Sequence, residues 1–146
     1  MSGVGPLVGR LLTMPRGRLL LLAEACWFLA LSSAAVAVLP FRRSVRLGGA
    51  NERLPVVGPA DAVQVESVRG AVEGAAPRLP FRAKCFERAL AARLMLRRRG
   101  IGTTLYYGAR MEGDSALSAH VWLRSGETDV IGCENASAFQ RLSQFA

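Results

Sequence analysis

The chain of 146 residues has the length of one ordinary domain, enough to bury a hydrophobic core of its own. With 51% hydrophobic and 21% charged residues it falls outside the disordered class. Its net charge of +8 rests almost wholly on arginine, Lys84 being the sole lysine, and favours an acidic partner without choosing one.

The first element in chain order is the apolar run from Leu19 to Leu39, interrupted by Glu24, Ser32 and Ser33 and flanked by Arg16, Arg18, Arg42 and Arg43. Three readings fit it: a membrane span, a signal segment with Ala35-Val36-Ala37 as its small-residue site, and a core helix stopped by Pro40. Glu24 weighs against the first two, because a carboxylate is costly in hydrocarbon, and the core helix is favoured. Phe41 to Leu47 reads as a short helix or a turn. Gly48 to Asn51 and Leu54 to Pro59 carry loop signals. Asp61 to Val72 has Val63, Val65 and Val68 at helical or mixed spacing, and Gly74 to Pro80 reads as a Gly/Ala/Pro linker.

A second helix is expected to open at Cys85. Phe86, Leu90 and Leu94 recur at i, i+4 and i+8, with Ala89 and Leu96 beside them, and Gly100 is a natural stop. Arg97 to Arg99 suit the negative end of its dipole. Like Arg42, Arg43 and Arg46, they read as solvated helix ends, and neither cluster is interleaved with the aromatics a nucleic-acid groove needs. Cys85 thus sits in the first turn, where free amides and the dipole favour a thiolate. The competing reading of a lone cysteine is a small buried hydrophobe.

Thr103 to Tyr107 reads as a strand ending at Gly108, and Arg110 to Ser115 as a polar loop. The following run reads as a hairpin turning at Ser125-Gly126. His120 opens its first strand and is the only histidine, so any Cys–His chemistry must use it with Cys85. A two-residue turn places Asp129 opposite Trp122, on the side of His120, where it can orient the ring. Glu134 is the reserve, and a solvent-facing carboxylate is the plain alternative for Asp129. The three cysteines are too few and too scattered for a disulfide framework, and Cys85, His120 and Cys133 lack the spacing of a zinc site.

CFERALAARLMLRRRGI, LYYGA, SAHVWL and DVIGCE with the closing FQRLSQF resemble the leader peptidases of lasso-peptide biosynthesis, which are transglutaminase-like, papain-related cysteine peptidases. The resemblance implies an α+β fold. A helical N-terminal region, residues 1–79, would precede a catalytic core, residues 80–146, in which the cysteine helix packs on a small antiparallel sheet. It implies Cys85 as nucleophile, His120 as general base, and an acid on the following strand, where Asp129 is the only aspartate. It also implies cytoplasmic cleavage of a leader from a lasso precursor peptide, without metal or cofactor. The core would pass to an ATP-dependent cyclase. The first 80 residues do not resemble the winged-helix-like leader-recognition domain of some members, so a separate recognition protein is expected. Nucleic acid is not expected as a partner, and membrane association is the less favoured reading. A catalytically idle precursor-binding module and a membrane-anchored protein are the alternatives from other classes.

Overall fold

A computed structural model describes residues 9, 13–47 and 61–145. The loop signals at Gly48 to Asn51 and Leu54 to Pro59 lie outside them. Among the described residues the helices α1 (Arg16–Val38), α2 (Phe41–Arg46), α3 (Ala62–Ala75) and α4 (Cys85–Arg98) precede the strands. These are β1 (Thr104–Glu112), β2 (Ala116–Ser125), β3 (Thr128–Ile131) and β4 (Gln140–Phe145). The strands form one antiparallel sheet in the order β3-β2-β1-β4. The fold is α+β, a helical N-terminal region followed by a cysteine helix against a small antiparallel sheet.

α1 covers the long apolar run and ends where Pro40 removes the next amide. Its buried residues are Ala25, Leu29 and Ser32, so one narrow face is packed and the rest is partly or fully exposed. Glu24 is held at the end of α4, its carboxylate 2.8 and 2.7 Å from the Arg99 guanidinium and 3.1 Å from Arg98. These pairs hold its carboxyl below the ordinary range, the Arg99 hydrogen bonds contributing most and burial opposing them. Two of the three arginines read as a solvated cluster therefore anchor α1.

α4 is the central element. The stripe expected on it understates the burial: Glu87, Ala89, Leu90, Ala91, Ala92, Arg93, Met95 and Leu96 are all buried. Three alanines in four positions allow α1, α3 and the sheet to approach from several sides, so no solvated face of ordinary width remains. The linker expected from Gly74 is instead the last turn of α3, extended by a 3-10 turn at Ala76–Arg78. Its glycine and alanines pack, and only the prolines mark a stop.

Gly108 does not end β1. The strand runs on to Glu112 and turns through residues 113–115 into β2, with Gly108 opposite His120. A Cβ at Gly108 would lie 2.9 Å from the Trp122 ring and 3.0 Å from the Gln140 carbonyl, so the glycine makes room for the indole inside the sheet. Val121 and Leu123 join Leu105, Val130, Ile131 and the helical residues in the core. Alternation leaves Tyr106, Trp122 and His120 on the other face.

Candidate functional site

Cys85 opens α4 after Lys84, which is extended and makes no side-chain cap. The first-turn amides are therefore without a capping side chain. Cys85 is half-buried and packs against the core cluster. Among the described residues its thiol makes no hydrogen bond, and none joins it to His120.

The His120 ring is fixed from three directions. Trp122, two residues along the same face, stacks at 6.0 Å and 20°. Phe139, arriving from the crossover between β3 and β4, stacks at 4.9 Å and 30°. Nε2 lies 2.7 Å from the carbonyl oxygen of Gly132. A carbonyl can only accept, so Nε2 carries the hydrogen and donates it. The neutral ring then has its lone pair at Nδ1, which makes Nδ1 the basic atom. Gly132 sits at φ 73°, left-handed backbone that glycine adopts without strain.

Asp129 lies on the His120 side of the hairpin, but its partner is different. The turn is Gly126-Glu127, with Ser125 opposite Thr128 and Asp129 opposite Arg124, followed by a bulge at Leu123/Arg124. This replaces the turn expected at Ser125-Gly126: Gly126, at φ 59°, supplies the first turn position, leaving Ser125 paired. The Asp129 carboxylate is 2.9 Å from Arg124 Nε and exposed. Glu134, the reserve acid, is paired with Arg69 at 3.1 Å. The atom that holds the His120 ring is thus the Gly132 carbonyl. Sequence reasoning missed Gly132 and Phe139, since a backbone oxygen has no residue-type signal. Trp122 was expected on the His120 side of its strand, but its stacking on the ring was not read from the sequence.

Cys133 directly follows Gly132 in the chain. Its thiol donates to the Leu123 carbonyl at 3.2 Å. Burial, with Asp129 nearby, pushes it up to about 11, so it stays protonated and is a poor nucleophile. Among the described residues no cluster of three His, Cys, Asp or Glu side chains could hold a metal ion.

Residues 28–144 match the family described as the transglutaminase-like superfamily. The match covers most of the chain and includes Cys85 and His120. No curated protein and no solved structure matches. The chain belongs to the transglutaminase-like superfamily.

Proposed function

We propose that this superfamily member is a cytoplasmic cysteine endopeptidase that removes the leader from a lasso-peptide precursor, with Cys85 as nucleophile and His120 as base. The observation that carries the catalytic part is the tautomer of His120: donation from Nε2 to Gly132 leaves Nδ1 as the acceptor for a thiol proton. In this reading the Cys85 thiolate attacks the carbonyl at the leader–core junction. The tetrahedral oxyanion takes a hydrogen bond from the Cys85 amide at the uncapped start of α4. Collapse breaks the peptide bond, leaves the leader as a thioester on Cys85, and sends the proton from His120 to the core amine. Water, deprotonated by His120, then releases the leader. In this structure α4 packs on the sheet face of Val121 and Leu123 while the His120 ring lies on the other, so this reading requires substrate binding to bring the Cys85 thiol and Nδ1 together. A separate recognition protein presents the leader, and an ATP-dependent cyclase takes the core.

A second reading, a module that holds the precursor without cleaving it, draws on the lack of a hydrogen bond between Cys85 and His120. One experiment separates them. Wild type, Cys85→Ala and His120→Ala are incubated with precursor peptide and recognition protein, and products are read by mass spectrometry. The peptidase reading expects a leader-length fragment from wild type only, with unchanged circular dichroism in both variants. Cleavage by Cys85→Ala ends the nucleophile assignment, while a wild type that binds the precursor and leaves it intact supports the second reading.

A further inference from the structure

α1 is the one described helix long and apolar enough to cross a membrane, with a mean hydropathy of 2.0, yet only 17% of that window is buried. Its buried residues Ala25, Leu29 and Ser32 fix one face against the fold. The opposite face, stepping by three and four residues, carries Leu20, Trp27, Leu31 and Val38, all exposed, with alanines between them. Every exposed residue of α1 from Leu20 to Val38 is apolar. A core helix has no use for such a face, and a solvated helix would carry polar residues there.

Charge identifies what covers it. Exposed Arg16 and Arg18 stand at one end of the stripe, and exposed Arg42, Arg43 and Arg46 follow the other. The one carboxylate of the helix, Glu24, is turned to Arg98 and Arg99 and neutralised by them. An apolar stripe with cations at both ends and no exposed anion between them complements an anionic lipid surface, the hydrophobic face entering the acyl boundary and the guanidinium groups meeting the headgroups. Trp27 lies near the middle of the stripe, and tryptophan favours the interfacial depth. We propose that α1 docks in the plane of an anionic membrane surface through Leu20, Trp27, Leu31 and Val38, while remaining packed on the rest of the fold. A spanning helix would strip away the Glu24 pairs and the contacts of Ala25 and Leu29. The in-plane pose keeps both.

The full-length protein contains its own reporter. Trp27 is 67% exposed and Trp122 only 6%, so lipid-dependent emission changes belong to Trp27. The protein is mixed with vesicles of equal parts phosphatidylglycerol and phosphatidylcholine, or of phosphatidylcholine alone, with and without brominated acyl chains. Expected are co-sedimentation with the anionic vesicles, release by high salt or carbonate, and quenching by bromine that disappears in Trp27→Phe. Leu20→Glu/Leu31→Glu, on the exposed face, lowers vesicle partitioning by about tenfold or more with unchanged circular dichroism. Three results overturn the proposal. The stripe could be covered by a second copy, seen as a dimer whose Trp27 ignores lipid. It could serve a protein partner, seen as a monomer that binds no vesicle. Resistance to carbonate would mean that α1 spans. None of these readouts depends on peptidase activity, so the test stands apart from that assignment.

Discussion

Gly132 is the position where the geometry makes its sharpest demand. At φ 73° an L-side chain costs about 1–2 kcal/mol. In addition, a Cβ would lie 2.9 Å from the Val121 carbonyl oxygen and 3.4 Å from His120 Nε2. The first neighbour is backbone inside a sheet and cannot swing away, so relief must come from moving Gly132 itself, at a further cost of about 1–2 kcal/mol. Gly100, at φ 72°, has nothing within 4 Å of the same atom and is the matched control. Gly132→Ala is therefore expected to lose about 2–4 kcal/mol in urea denaturation, against about 1–2 kcal/mol for Gly100→Ala. The displaced carbonyl should also release the His120 ring, so that nitrogen chemical shifts move from a single Nε2–H tautomer to a mixture. If the two alanine variants are equally destabilised, or the tautomer survives Gly132→Ala, the description of the ring clamp is refuted.

Glu24→Gln should destabilise the fold by about 1 kcal/mol at neutral pH, because its charge-assisted bonds to Arg99 and Arg98 are lost. The folded carboxyl is depressed, so this contribution is present above the ordinary glutamate range and disappears as the pH falls through the folded value; denaturation of both forms at neutral and strongly acid pH shows the gap closing. Cys133, pushed up to about 11, should resist iodoacetamide at pH 8 in the folded protein and react once urea unfolds it, as peptide mapping reads. Asp129→Asn, which removes an exposed pair to Arg124 and a contact with the protonated Cys133, should change stability by less than about 1 kcal/mol and leader cleavage by less than about tenfold. A loss of several hundredfold would return the acid's role to Asp129.

Some of this fold was legible in the sequence because its signals are local. Proline 40, the Cys85 start and the β-branched, aromatic run after Thr103 each depend on a few adjacent residues. The failures depend on distant neighbours. Gly108 looked like a strand exit because only the Trp122 ring, fourteen positions on, shows why glycine is needed inside β1. α4 looked amphipathic because apolar periodicity does not count alanines as contacts, and a helix packed on several sides can bury Arg93 and Glu87 with them. The hairpin turn moved by one residue, and the pairing by two, because Ser125-Gly126 and Gly126-Glu127 both offer a turn glycine and pairing decides between them. Asp129 kept its face, since its partner moved by two residues, from Trp122 to Arg124, and a shift of two preserves the parity with His120.

The setting of His120 follows from the strand order. β3 and β4 lie at opposite edges, so the chain between them must cross β2 and β1. The helices pack on the face that carries Val121 and Leu123, and the crossover is found on the other, where Gly132 and Phe139 reach the ring. The 3-10 turn Cys133–Ala138 shortens this path while keeping Phe139 over the imidazole. A ring on that face meets backbone before it meets any carboxylate, because Asp129 and Glu134 are drawn off by arginines. Orientation of the His120 ring is thereby assigned to an atom that no side-chain substitution removes, and the remaining route to it through the sequence is the conformation of Gly132.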